Sequence, residues 1–230
     1  MVAGGDEAGR GAVIGPLVVS LVSIKNGYSK RLSTIGVRDS KMLSRKKREY
    51  LYDEIYALAD DVQTKIITPE EINKAMASGI SLNELEAMHF AKLIDATKAD
   101  IKSVFLDSPD VIAERFGVRI SLLSSKNLAV KGTKRPIQKS PIKLISEHKA
   151  DSRYPVVSAA SIIAKVTRDR EIDKLARKLN INIGSGYPSD SETVDAIRAN
   201  LSTSKLQPHI RVYWKTLEGI RQLKMSEFVR

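Results

Sequence analysis

The sequence predicts an α/β fold, a central mixed sheet flanked by helices, on three observations. Short runs rich in Val and Ile alternate along the chain with longer segments whose apolar residues recur every three or four positions, as in strands interleaved with amphipathic helices. The segment Val156-Val157-Ser158-Ala159-Ala160-Ser161-Ile162-Ile163-Ala164 is apolar or small nearly all round, and a helix without a polar stripe is a buried one. At 230 residues the chain can bury a substantial core, in one large domain or one domain with a small appendage. We take the second, with a main domain over 1–188 and a small helical domain over 189–230.

The elements follow in order. Residues 1–5 read as a short strand delivering Asp6 at its end, and 17–24 as the next strand after a glycine turn, the two pairing antiparallel. Arg38-Asp39-Ser40-Lys41 follows a loop containing Gly36. Ser44 caps a helix over about 45–60, in which Tyr52, Ile55, Tyr56 and Ala59 share a core-facing side. A strand over 62–67 precedes Thr68-Pro69-Glu70-Glu71, an N-cap, a first-turn proline and two acids that open a short helix. Ser81 and Glu84 form a capping box for a long core helix over 81–97. Residues 101–106 read as a strand ending in Asp107, and 118–123 as another strand after Gly117. The basic segment 126–143, with Gly132, Pro136, Pro141 and no periodicity, reads as an exposed loop or hairpin. A strand over 143–146 leads to His148-Lys149-Ala150-Asp151 and a helix over 155–179. Helices over 191–201 and 208–224 follow, with Trp214 packing the appendage on the main body.

Cysteine is absent, and the three histidines, His89, His148 and His209, are scattered without ligand spacing. Disulfide frameworks and thiolate zinc sites are therefore excluded, and any metal must be held by oxygen. No apolar run approaches the roughly 20 residues of a membrane span, and the N-terminus lacks the pattern of a secretory leader, so a cytoplasmic protein is expected. Lys plus Arg number 38 against 27 for Asp plus Glu, a net charge of +11, which points to a polyanionic partner. The charge is concentrated. Lys126, Lys131, Lys134, Arg135, Lys139, Lys143, Lys149 and Arg153 fall in one stretch, and Arg38, Lys41 and Arg45-Lys46-Lys47-Arg48 in another.

Gly4-Gly5-Asp6-Glu7-Ala8-Gly9-Arg10-Gly11 sets two adjacent carboxylates among glycines, with one arginine behind them. Glycine lets backbone approach a ligand, so Gly5, Gly9 and Gly11 are read as bringing main-chain amides close to something bulky beside the acids. The pair alone is weak, because Asp60-Asp61 and Glu70-Glu71 are also adjacent acids and read as solvated helix faces. Asp107 and Asp151 add weight, since each of the four acids is read just after a short apolar strand or just before a buried helix. Converging carboxylates repel one another unless a cation sits among them, and all-oxygen ligation selects hard ions such as Mg²⁺ or Mn²⁺. Two such ions about 4 Å apart can activate a water on one side of a phosphate and stabilise the leaving oxygen on the other. The implied reaction is phosphodiester hydrolysis.

The strings themselves are more specific. Gly5-Asp6-Glu7-Ala8-Gly9-Arg10-Gly11, Asp39-Ser40-Lys41, Leu106-Asp107, His148-Lys149-Ala150-Asp151 with Tyr154-Pro155 through Lys165, and Gly186-Tyr187-Pro188 resemble the signature series of the type 2 ribonucleases H, and most closely its archaeal RNase HII branch. The motifs run in the family's order from residue 4 to about 190. The resemblance implies a ribonuclease H-like fold with a small helical C-terminal domain. It also implies an endonuclease that cuts the RNA strand of RNA/DNA hybrids and leaves a 5′-phosphate and a 3′-hydroxyl. On that likeness Asp6, Glu7, Asp107 and Asp151 are the catalytic set and metal ligands. Gly9, Arg10 and Gly11 grip the ribose 2′-hydroxyl and its neighbouring phosphate, and Tyr187 completes that recognition, so that a single ribonucleotide embedded in DNA is cut. A 2′-hydroxyl both donates and accepts, and it is what tells RNA from DNA. Lys41 and Arg10 are candidate phosphate contacts, with Lys149 and Lys165 behind them. Ser40 and Ser158 are read as supports of the site, and Asp169 as one partner of a salt bridge on its helix.

Gln222, Met225, Phe228 and Val229 resemble a sliding-clamp binding peptide whose second aromatic is replaced by Val229, and helical tail packing would use the same spacing. Two further readings stand beside the leading one. Another nuclease of the same fold, such as a resolvase, would share the scattered acids but not Gly9-Arg10-Gly11 with Tyr187. A non-catalytic nucleic-acid binder would use the basic patches and not need four acids. A monomer is expected of a nuclease acting on one duplex.

Overall fold

The computed structural model describes residues 1–37, 40–133, 141–200 and 204–220. Among them, six strands form one sheet: β1 (Val2–Ala8), β2 (Leu17–Ile24), β3 (Asp61–Ile67), β4 (Ser103–Asp107), β5 (Leu128–Val130) and β6 (Ile142–Glu147). Their spatial order is β3-β2-β1-β4-β6-β5. β1 pairs antiparallel with β2 and parallel with β4, while β4 and β5 both run parallel to β6. The helices are α1 (Ser29–Thr34), α2 (Arg45–Leu58), α3 (Pro69–Ala77), α4 (Leu82–Ala96), α5 (Ala113–Leu123), α6 (Ala150–Arg153), α7 (Pro155–Leu179) and α8 (Ser191–Asn200). The fold is α/β with a mixed sheet, as the alternating pattern predicts. No helix among the described residues is long and apolar enough to cross a membrane.

The described residues form two compact units. The first comprises Met1–Ala8, Val18–Lys65 and Asn83–Val166. Side chains alternate across a strand, and β1 shows how tightly its two faces are covered. A Cβ on Gly4 would lie 2.4 Å from the Val156 carbonyl carbon at the start of α7, and one on Gly5 would lie 2.5 Å from Leu106 and 2.8 Å from the Phe90 ring. On the Gly4 side, Val22, Ile24, Leu51, Ile55 and the apolar face of α7 make one core. On the Gly5 side, Phe90 of α4 meets Phe116 of α5 edge to face at 5.9 Å. Ser44 caps α2 by accepting the Lys47 amide at 3.2 Å. The second unit comprises Gly9–Leu17, Ile66–Leu82 and the described part of Thr167–Arg230. Its core gathers Val13, Ile14, Ile172, Ile183, Ile197, Leu206 and Ile210, with Trp214 packed against it. Thr68 and Glu71 close a full capping box at α3.

Several expectations are corrected. Residues 118–123 belong to helix α5, not to a strand. Ala113, Phe116, Gly117 and Ile120 recur on its buried side, and Gly117 is a contact glycine whose Cβ would meet Val130 at 3.0 Å. The segment 126–143 contains strand β5, added in parallel to β6; residues 134–140 lie outside the described residues. β1 runs through Ala8, so Asp6 and Glu7 stand within the strand and not beyond its end. Along α2 and its C-cap, Ile55 is buried with Leu51, and Tyr52 and Ala59 pack against the same core, so only Tyr56, which is exposed, departs from the expected face. The region after 206 begins with a 3-10 turn at Gln207–His209 and, among the described residues, is next helical over 216–220; residues 221–224 of the expected helix lie outside them. Nor are the other acid pairs idle: Asp60 accepts the Lys25 amide at 3.0 Å, Asp61 accepts the Thr97 hydroxyl, and Glu71 belongs to the capping box.

Candidate active site

Within the first unit, Asp6 is the most constrained of the acids. It stands on the central strand β1, only 5% exposed, and one carboxylate oxygen accepts the Glu7 amide at 2.8 Å. Its carboxyl is pushed well above the ordinary aspartate range. Burial is the main cause, the neighbouring charges of Glu7 and Asp107 add to it, and hydrogen bonds from Ser161 and the Glu7 amide oppose it. Ser161 in turn shares a 3.0 Å hydrogen bond with Ser40, which links Ser40 to the acid through one hydroxyl.

Asp107 is the last residue of β4, and its Oδ1 accepts the Ala150 amide at 2.8 Å. The next residue, Asp151, is buried in the first turn of α6. Ser158 of α7 donates its hydroxyl to the Asp151 carbonyl and also lies 3.3 Å from the Tyr154 carbonyl, so a serine holds the backbone of that turn. His148 does not join the acids. Its Nε2 lies 3.3 Å from the Val111 carbonyl.

Glu7 and Asp107 are thus each in electrostatic reach of Asp6, and Asp151 is joined to Asp107 through its neighbour Ala150. Among the described residues, no three His, Cys, Asp or Glu side chains are grouped tightly enough to enclose a metal as they stand. The chemistry of the set nevertheless fits a hard divalent cation. The donors are all oxygen, they repel one another, and a buried carboxyl that resists ionisation is what a neighbouring cation would restore to its anion.

The second unit holds the other constellation. Gly9 has φ +92°, and a Cβ there would lie 2.5 Å from Nε of Arg168 and 2.7 Å from the Pro16 carbonyl oxygen. Gly11 is exposed, and its Cβ position lies 3.9 Å from the Tyr187 ring. Gly186 accepts the amides of Val13 and Ile14 at 2.8 and 3.1 Å, which fastens the loop carrying Tyr187 to the segment after Gly11. Arg168, 1% exposed, lies under both: its guanidinium carbon is 4.4 Å from the centre of the Tyr187 ring, and Nη2 donates to the Ser185 carbonyl at 2.6 Å. The Arg10 carbonyl accepts from Arg211, which is fully buried and also bonds the Gly15 carbonyl.

Gly5 does not do what its position suggests. It is a contact glycine under Phe90 and Leu106, and only Gly9 and Gly11 belong to the loop beside Tyr187. Sequence reasoning missed Ser161 and Arg168. Both continue the buried side of α7 at helical spacing through Val157, Ala160, Ser161, Ala164 and Arg168, so an arginine on an otherwise apolar stripe was the available signal. Asp169 lies 3.7 Å from the Arg168 guanidinium. Of the basic residues, Lys131 pairs with Glu147 at 2.9 Å. The Lys41 side chain, Arg38, Lys134 and Arg135 lie outside the described residues, as do Gln222, Met225, Phe228 and Val229.

A mixed six-stranded sheet with Asp6, Glu7 and Asp107 on its two middle strands is the ribonuclease H-like arrangement, and solved structures share it. The ribonuclease H2 of Pyrococcus horikoshii OT3 matches with a TM-score of 0.80 at 40% identity, over 96% of this chain and 97% of that one. The RNase HII in a PCNA:RNase HII complex from Archaeoglobus fulgidus matches at 0.81 and 37% identity over the same shares. The family model for ribonuclease HII covers residues 3–217, and ribonuclease HII of Thermoplasma volcanium is 43% identical over 94% of this chain and 91% of its own length. The chain belongs to the ribonuclease HII family, endonucleases of RNA/DNA hybrids, and it is a ribonuclease H hydrolase.

Proposed function

We propose that this ribonuclease H hydrolyses the RNA strand of RNA/DNA hybrids and cuts on the 5′ side of single ribonucleotides embedded in duplex DNA, leaving 5′-phosphate and 3′-hydroxyl ends. The observation that carries this reading is the pairing of Gly9 and Gly11 with Tyr187 over a buried arginine, in a chain that also sets four acids on or beside its central strands. Asp6, Glu7, Asp107 and Asp151 would hold divalent ions, two Mg²⁺ or Mn²⁺ per site, which when bound supply a water nucleophile and charge neutralisation at the phosphate. The chain's own part is to position the acids. Ser161 steadies Asp6, the Ala150 amide orients Asp107, and Ser158 fixes the turn of Asp151. Backbone groups of Gly9, Arg10 and Gly11 read the ribose 2′-hydroxyl, a ring such as Tyr187 disfavours a second 2′-hydroxyl on the next sugar, and Arg10 and Lys41 take phosphates.

The biological setting we assign is ribonucleotide excision repair and RNA primer removal, by a monomer in the cytoplasm with a catalytic domain over 1–188 and a helical region over 189–230. A duplex carrying one ribonucleotide, incubated with Mg²⁺, Mn²⁺ or EDTA, tests the activity. Cutting 5′ of the ribonucleotide, lost in EDTA and in Asp6→Asn, supports the reading. Branch-selective cutting would move it to a resolvase, and binding without cutting to a non-catalytic binder.

Clamp binding through Gln222, Met225, Phe228 and Val229 is a second proposal, supported by the PCNA complex of the Archaeoglobus fulgidus relative. A pull-down with the cognate clamp tests it, and retention after deletion of residues 222–230 would reject it.

A further inference from the structure

Nine described residues have φ in the left-handed region. Seven are glycines, one is Asn180, and one is Lys149, with φ 56° and ψ 37°. Asparagine tolerates that region through its short polar side chain, but for lysine it crowds Cβ against the backbone. A left-handed lysine is therefore a local strain that the other described residues avoid, using Gly or Asn where φ is positive.

The backbone conformation itself has an evident use. The Lys149 carbonyl accepts the Ser152 amide at 3.2 Å and the Ser152 hydroxyl at 2.8 Å, which starts the turn of α6. The same reversal aims the Ala150 amide at Asp107 Oδ1, 2.8 Å away, and brings Asp151 into its buried place. Glycine would perform all of this with less strain, so the backbone explains the conformation but not the lysine. Nor does local pairing explain it: the side chain is exposed, and its ammonium has no hydrogen-bond or ion-pair partner among the described residues. What remains is position. Lys149 precedes by one residue the amide that holds Asp107 and by two the buried Asp151, in a turn whose neighbouring carboxylates would repel a phosphate chain.

We propose that Lys149 is a substrate-binding residue whose ammonium takes a backbone phosphate of the strand lying on the acids, and that this contact is why a lysine occupies a position suited to glycine. The proposal rests on the acids being the phosphodiester-cleaving site. It separates two roles within one residue: the main chain positions Asp107 and Asp151, and the side chain meets the substrate.

The test compares Lys149→Gly, Lys149→Ala and Lys149→Arg in thermal melting, and in binding to a duplex with one ribonucleotide in EDTA across a series of salt concentrations. Lys149→Gly should melt about 2 °C higher, from relief of strain. It should also bind about 5- to 10-fold more weakly, with the slope of log K against log salt smaller by about one. Lys149→Ala should lose the same binding without the gain in melting temperature, and Lys149→Arg should keep the wild-type slope. Wild-type affinity and slope in Lys149→Gly would overturn the proposal, and so would a lower melting temperature in that variant with an unchanged slope, the behaviour of a lysine that only softens the acid cluster. A wild-type protein that cuts the duplex while Lys149→Gly keeps its slope sinks this inference alone. A wild-type protein that neither binds nor cuts it takes the functional reading down as well.

Discussion

Arg168 is the residue on which the Gly9 loop and Tyr187 both depend, and its replacement gives the sharpest measurable consequence. Its guanidinium faces the Tyr187 ring at 4.4 Å, donates to the Ser185 carbonyl at 2.6 Å, and lies where any Gly9 Cβ would be. A desolvated cation–π contact contributes about 2 kcal/mol and a charge-assisted hydrogen bond about 1.5–3 kcal/mol. Against these stands the desolvation of a buried cation whose Nε has no acceptor, about 1–3 kcal/mol. Burial lowers the Arg168 pKa, with the Tyr187 hydroxyl and Asp169 opposing. Arg168→Ala should therefore lower unfolding stability by about 3 kcal/mol, much of it through the vacated volume. Arg168→Lys keeps the charge but not the flat stack, and should lose about 1–2 kcal/mol. If the arginine acts by placing Tyr187, its effect on kcat/KM must depend on the ring. In a cycle of Arg168→Lys, Tyr187→Ala and the double variant, assayed on a single-ribonucleotide duplex, the coupling should reach about 1–2 kcal/mol, roughly 5- to 30-fold in rate. Additive effects, within about 0.3 kcal/mol, would mean that the stack does nothing for recognition and that Arg168 is only a core residue.

Gly4→Ala should lower stability by about 3 kcal/mol or more in urea unfolding, because its Cβ would sit 2.4 Å from main-chain atoms that cannot step aside. Asp6→Asn should abolish cleavage while leaving the metal-free protein as stable as wild type at neutral pH or more so, since it removes a carboxyl that burial and the charges of Glu7 and Asp107 disfavour in its anionic form; a clear loss of melting temperature would contradict that electrostatic picture. Asp190 accepts the amides of Ser185 and Glu192 at 2.6 and 3.1 Å, and these bonds, Ser185 foremost, hold its pKa below the ordinary 3.8. The folded state binds this proton less readily than the unfolded one, so the contribution is full above about 3.8 and is lost as pH falls through the depressed value. Asp190→Asn should accordingly melt below wild type at pH 7, with the gap closing in strong acid. Replacing Lys131, Lys134 and Arg135 with alanine should flatten the salt dependence of duplex binding, although Lys131 is already engaged by Glu147; an unchanged slope would remove the basic loop from the interface.

Periodicity made the long elements legible, because a buried helix and a β-branched strand announce themselves within their own residues. β2, α2, α3, α4, α7 and α8 all begin and end within a few residues of where apolar spacing and caps place them. Helix α5 was hidden because Gly117 looks like a break. The reason for that glycine is the close approach of Val130 and Ser146, a contact between segments that local sequence does not show. β5 was hidden because three residues in a basic stretch have no period to read; they become a strand only by pairing with β6. The same distinction governs the site. Acid identities and their order could be read from the strings, whereas the supports, Ser161 to Asp6 and Arg168 to Tyr187, are made across the fold.

The glycines of the opening octapeptide show why composition alone misassigns them. Gly4 and Gly5 are small for the sake of packing: the backbone at Val156 and the side chains of Phe90 and Leu106 press on the two faces of β1, and this pressure fixes the strand that carries Asp6. Gly9 is small for a conformational reason as well, with φ +92° over the Arg168 guanidinium. Gly11 meets neither constraint, since a Cβ there would make only ordinary contact, 3.9 Å from the Tyr187 ring. Its lack of a side chain is thus the one glycine in the motif that folding does not require, and a ligand passing between Gly11 and Tyr187 would. Gly11→Ala should therefore fold with nearly wild-type stability yet bind a ribonucleotide-containing duplex more weakly. A variant that loses stability, as the crowding at Gly9 predicts for Gly9→Ala, or that keeps full affinity, would show that the gap beside Tyr187 is not where the sugar is read.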